Sequence, residues 1–105
     1  MLQGYKADLF KAMGHPVRIR ILELLRDGER SVSDLQAELG TEMSSVSQQL
    51  AILRNRGLVS GRREGTTVHY SVVDPLVFDL LDTARAMFQR QLSGLQEMAS
   101  ADEQA

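Results

Sequence analysis

At 105 residues, with 43% hydrophobic and 25% charged side chains, the chain supplies one hydrophobic core and not two. No apolar run approaches the roughly 18 residues a bilayer crossing needs, so a soluble, cytoplasmic protein without a membrane partner is expected. The absence of cysteine excludes disulfides, thiolate metal sites and cysteine nucleophiles, and a net charge of -2 excludes a chain that coats nucleic acid indiscriminately.

From the N-terminus, Leu2, Tyr5, Leu9, Phe10 and Met13 recur at three- and four-residue spacing, the stripe of an amphipathic helix ended by Gly14. Lys6, Asp8 and Lys11 interrupt that stripe, unlike the uninterrupted apolar run of an export signal. A second helix starts in "HPVRIRILELL", where Pro16 suits the first turn, and closes at Gly28. Ser31 or Ser33 caps a short third helix, "VSDLQAELG", with Leu35 and Leu39 facing inward. A tight turn leads to a fourth helix, Ser44 to Arg56, in which Val46, Leu50 and Leu53 take the buried face. The period then changes. Leu58 to Arg63 and Thr67 to Val73 read as strands around the loop "EGT", a hairpin. Asp74-Pro75 starts a last helix carrying Val77, Leu80, Leu81, Ala84, Phe88, Leu92 and Leu95. Residues 99–105 read as a frayed, disordered tail behind a single domain at 1–98. The order helix, helix, helix, helix, hairpin, helix, mainly α with a small β-hairpin, is that of a winged helix-turn-helix.

The fourth helix leaves Ser44, Ser45, Gln48 and Gln49 outside its apolar face, with Ser47 near the edge. Serine is a mediocre helix former, and a face shaped only for solubility would use Glu, Lys and Ala. Short hydroxyls and amides at a helix N-terminus instead suit the base edges and phosphates of a DNA major groove, with glutamine pairing in bidentate fashion to adenine. Between residues 43 and 73 four arginines, Arg54, Arg56, Arg62 and Arg63, stand against Glu64 alone. Arg54 at the helix end, Arg62 and Arg63 on the hairpin and Thr66 at its turn complete the expected contact set with double-stranded DNA. Outside that set, Leu2, Tyr5 and Leu9 on the first helix and Leu80, Leu81, Ala84, Phe88 and Leu92 on the last make more apolar surface than one small protomer buries. A second copy is therefore expected to cover them. Such a pair sets two reading helices about 34 Å apart, or a multiple, as an inverted-repeat operator requires.

"HPVRIRILELL", "SSVSQQLAILRNRGLV" and "RREGTTVHYSV" resemble the second helix, recognition helix and wing of the ArsR/SmtB family of bacterial winged-helix repressors. The resemblance implies a homodimer formed through the first and last helices, holding a partly palindromic operator. By matching positions it puts Ser44, Ser47 and Gln48 at the base and phosphate contacts, ahead of Ser45 and Gln49. It also marks departures. Where many members carry Cys-Val-Cys, this chain has Ser31-Val32-Ser33, and where others place acidic and histidine ligands it has Asp74, Leu76, Met87 and Arg90. Neither metal site forms from such side chains, and no metal or cofactor is expected. Asp74 reads as a helix cap, His15 as the holder of a structural hydrogen bond, and Met13, Met43, Met87 and Met98 as core packing. Without thiolates a small organic effector at the dimer interface, or no effector, ranks ahead of an atypical metal site of oxygen and nitrogen ligands or a partner protein. No nucleophile, carboxylate pair or phosphate loop suggests an enzyme. The competing class is a protein-interaction module on the same scaffold with vestigial DNA binding.

Overall fold

A computed structural model describes residues 1–104. Helices α1 (Leu2–Met13) and α2 (Pro16–Leu24) are followed by a 3-10 turn (Leu25–Asp27), strand β1 (Arg30–Ser31) and helices α3 (Val32–Leu39) and α4 (Met43–Asn55). Strands β2 (Val59–Glu64) and β3 (Thr67–Val72) then precede the long helix α5 (Leu76–Gln104). The three strands form one antiparallel sheet in the order β1-β3-β2.

Local chemistry sets most of the boundaries. His15 caps α2 by accepting a hydrogen bond on Nδ1 from the Val17 N–H at 3.1 Å, with Pro16 in the first turn. Ser31 and Asp34 form a reciprocal capping box at the start of α3. Gly40 ends α3 in the left-handed conformation, φ 68°, a backbone state that any side chain with a Cβ resists. It thereby sets the tight turn into α4. In the wing, Glu64 pairs with Thr67, so Gly65-Thr66 is the entire loop. Gly65 takes φ +63° at the first loop position, the one where a type II′ turn takes glycine.

Ile21 and Leu22 from α2, Leu35 from α3, Val46, Leu50 and Leu53 from α4 and Val59 from β2 are fully buried and make the centre of the core. Their i, i+4, i+7 spacing on α4 turns the opposite face of that helix to solvent. Among the described residues no helix is long and apolar enough to cross a membrane.

The structure departs from expectation in four places. The sheet has a third strand, because Arg30 and Ser31 extend the chain ahead of the α3 cap and pair with Tyr70 and His69. Glu64 belongs to β2 rather than to the loop. Helix α5 continues to Gln104 through the stretch expected to be frayed, consistent with the strong helix formers Ala99, Ala101 and Gln104; Ala105, the end of that expected tail, lies outside the described residues. Of the four methionines assigned to the core only Met13 is buried, while Met43, Met87 and Met98 are exposed on α4 and α5.

The capping box carries a pH signature. The Ser31 backbone N–H and its hydroxyl hold the Asp34 carboxyl below the usual carboxylate range. A depressed folded value means the stabilisation is present at neutral pH and above the unfolded value near 4, and is lost as pH falls through the folded value. Thermal melts of Asp34→Asn against the parent chain should differ most at pH 7 and converge as the pH is lowered towards 3. A difference independent of pH would remove the carboxylate from the explanation.

Candidate nucleic-acid interface

The turn Gly40–Glu42 brings α4 out of α3 with its apolar face on the core, and so fixes which side chains project from the molecule. Ser44, Ser47 and Gln48 are exposed and, at i, i+3, i+4, share one face near the helix N-terminus. No acidic residue occupies the first turn of α4 and its N-cap residue, the exposed Glu42, makes no side-chain capping bond, so its leading N–H groups stay uncapped beside that one carboxylate. Arg54 is exposed in the last turn.

Two residues expected on that face are placed differently. Ser45 is half-buried at its edge. Gln49 is half-buried too, and its Oε1 accepts a hydrogen bond from Arg18 Nη1 at 2.9 Å, so it does not offer a free amide. The reason is angular: Gln49 follows Val46 by three residues and precedes Leu50, which rotates it toward α2.

The wing separates its two arginines. Successive residues on a strand point to opposite faces of the sheet, so Arg62 and Arg63 do not face one partner together. Arg62 donates from Nε and Nη2 to the two carboxylate oxygens of Glu29, at 3.1 and 2.9 Å, and from Nη1 to Glu64 at 3.3 Å. That pairing holds the Glu29 carboxyl below its ordinary range and raises the Arg62 guanidinium. Arg62, expected as a phosphate anchor, instead braces the wing against the turn before β1. Among the described residues Arg54, Arg56 and Arg63 form no ion pair. Arg63 and Thr66 are exposed at the wing's outer end. Arg56 lies in the groove between α1 and α5 instead of beside the polar face.

That groove, about 810 Å³, is lined by Tyr5, Leu9, Leu58, Val77 and Leu80 among others. On the same two helices Leu2, Tyr5 and Phe10 of α1 and Phe88, Leu92 and Leu95 of α5 are exposed, Phe88 to 64%; Leu80 and Ala84 are also on the surface. Leu9 and Leu81, expected in the same interface, pack partly against the protomer's own core. Helix α5 is fastened to the body by Val77 and by Arg26, which donates to both Asp82 carboxylate oxygens, at 2.7 and 3.2 Å, and sits 5.0 Å from the Phe78 ring centre.

The residues at the alternative metal positions have other partners or none. Asp74 Oδ1 accepts the Leu76 N–H at 3.0 Å as the cap of α5, and His15 caps α2. Among the described residues no cluster of three or more His, Cys, Asp or Glu side chains is placed to hold a metal ion.

Sequence reasoning missed Arg18 and Glu29. Each acts on a residue far along the chain, Gln49 being 31 positions from Arg18 and Arg62 being 33 from Glu29, so no local pattern announces either.

Residues 15–60 match the family model described as bacterial regulatory protein, arsR family. The chain is 47% identical over 93 residues to the HTH-type transcriptional regulator Rv0081 of Mycobacterium tuberculosis, covering 88% of this chain and 82% of that protein. The crystal structure of Rv0081 superimposes with a TM-score of 0.79 over 88% of this chain and 93% of its own, at 46% identity. The biofilm growth-associated repressor of Agrobacterium fabrum is 35% identical over 82 residues, 78% of this chain and 70% of that one. The solution structure of the homodimeric winged helix-turn-helix DNA-binding domain of Mb0332 from Mycobacterium bovis matches with a TM-score of 0.77 at 32% identity, over 87% of this chain and 84% of its own. With the capped α3-turn-α4 pair, the paired wing and these relatives in agreement, the chain belongs to the ArsR family of bacterial regulatory proteins and is a winged helix-turn-helix transcriptional regulator.

Proposed function

We propose that two copies of this chain associate through the exposed apolar faces of α1 and α5 and bind an inverted-repeat DNA operator in the cytoplasm, repressing transcription. Each copy lays the N-terminal part of α4 in a major groove. The observation that carries this reading is the shared exposed face of Ser44, Ser47 and Gln48 on a helix whose first turn is free of acidic side chains. Gln48 reads adenine through its amide, and the two serines meet base edges or phosphate. Arg54 and Arg63, exposed and unpaired among the described residues, supply phosphate contacts. The names of relatives support the pairing and the direction of regulation, since Mb0332 is homodimeric and the Agrobacterium protein is a repressor.

The test is binding to duplexes selected from a random pool, followed by titration across salt concentrations. Two guanidinium groups per protomer on phosphate give a log-log salt slope of about -4 for the dimer, from about -0.9 per phosphate neutralised. Gln48→Ala should cost about 1–3 kcal/mol per half-site on the selected duplex and little on a scrambled one. Arg63→Ala should weaken both and flatten the slope by about 2. A flat salt response, or equal losses for Gln48→Ala on both duplexes, would refute the assignment and leave the scaffold to protein recognition.

A further inference from the structure

The guanidinium of Arg18 joins three elements. Its Nε donates to the Ala12 carbonyl at 2.6 Å and its Nη2 to the Lys11 carbonyl at 3.2 Å. Both belong to the last turn of α1, where a cation is favoured by the helix dipole; the Lys11 carbonyl also accepts the Gly14 N–H at 3.3 Å. Its remaining arm, Nη1, donates to Gln49 Oε1 at 2.9 Å across the α2–α4 contact. Arg18 is partly buried and held from two sides.

We infer that Arg18 is a positioning residue that sets what Gln49 reads on DNA, an inference that rests on the function proposed above. A guanidinium has donors only, so Gln49 must turn its carbonyl oxygen inward and its amino group outward. Bidentate recognition of adenine needs both ends of the amide, one accepting from the base amino group and one donating to the ring nitrogen. With one lone pair of its oxygen engaged and that oxygen turned toward α2, Gln49 presents its amino group to DNA ahead of its oxygen. It satisfies a phosphate or a base acceptor of any identity, and adenine selection falls to Gln48. Turning its oxygen from Arg18 to adenine would exchange a charge-assisted hydrogen bond for a neutral one of roughly half the strength. The clamp also ties the recognition helix to the end of α1, the helix whose outer face is proposed to meet the second copy.

The experiment compares duplex selections by the parent chain, Gln49→Ala, Arg18→Met and the double variant, each also melted without DNA. Gln49→Ala should bind every duplex more weakly while keeping the parent chain's adenine preferences. Arg18→Met frees the amide and should add an adenine preference of about tenfold at one further position, which the double variant loses. Loss of an adenine preference in Gln49→Ala while Arg18 is present would overturn the inference, as would an Arg18→Met profile identical to the parent's. Arg18→Lys keeps charge beside the α1 carbonyls without the fork that reaches Gln49, and replaces Arg18→Met if that variant unfolds.

The melts decide the clamp independently of DNA. Shifts in Tm for Arg18→Met and Gln49→Ala should be non-additive, and Gln49→Glu should raise Tm only where Arg18 is present. Additive shifts would overturn the clamp. A coupled pair in the melts, with no duplex enriched by any of the four proteins, would support the clamp while refuting the DNA reading and the specificity role built on it.

Discussion

Phe88→Glu should leave the protomer folded, convert the protein from dimer to monomer in sedimentation, and lower operator affinity by about 10²–10³-fold. Phe88 is 64% exposed and belongs to no part of the protomer's core, so the substitution costs the isolated fold nothing that its contacts supply. In the proposed pair the same position is covered, and a carboxylate there must be desolvated without a partner or the interface must open. Affinity falls steeply because two half-sites joined in one rigid body bind far more tightly than either alone. A variant that stays dimeric and binds as before would place the interface elsewhere on the surface. Since the exposed row Phe88, Leu92 and Leu95 lies on α5 and the exposed Tyr5 lines the groove between that helix and α1, Tyr5→Glu should act in the same direction through the other side of the contact.

Leu53→Ala is expected to cost about 2–5 kcal/mol of folding stability, the usual range for deleting a fully buried leucine. Leu53 has no exposed surface and closes the apolar face of α4 two residues before the helix ends. At roughly 4–8 °C for each kcal/mol in a domain of this size, Tm should drop by about 10 °C or more. Because a dimer gains apparent stability from protomer concentration, the two proteins must be melted at equal concentration. The effect on DNA is then secondary: at temperatures where the variant is still folded, its base preferences should match those of the parent chain, since Leu53 faces away from Ser44, Ser47 and Gln48. A changed preference would show that the core contact, and not the exposed face alone, sets the reading geometry.

The helices were legible because their signals are local. Apolar spacing marked the buried face of α4, and by elimination its polar face, while Pro16, Ser31, Gly40 and Asp74 marked boundaries through capping and turn chemistry. What the chain order did not disclose depends on partners distant in sequence. Strand β1 is two residues long, below any period, and exists through its pairing with Tyr70 and His69. The diversion of Gln49 to Arg18 and of Arg62 to Glu29 arises only when α2 meets α4 and the wing meets the turn before β1. One part of the wing was nonetheless readable: in a strand, neighbours Arg62 and Arg63 must point to opposite faces, so only one of them suits a given partner. Met13, Met43, Met87 and Met98 likewise read as core from the sequence, although Met87 and Met98 lie beyond Val77 and Leu81, the residues by which α5 packs on the core.

Hydroxyl-radical footprinting on a duplex enriched from a random pool tests the central claim most directly. If the exposed hydroxyl and amide face of α4 enters the groove from each of two symmetry-related copies, the cleavage pattern will show two protected patches on one side of the DNA, related by a dyad and about one helical turn, roughly 34 Å, or a multiple apart. A single patch without a dyad, or uniform cleavage at low salt with the protein in excess, would contradict it.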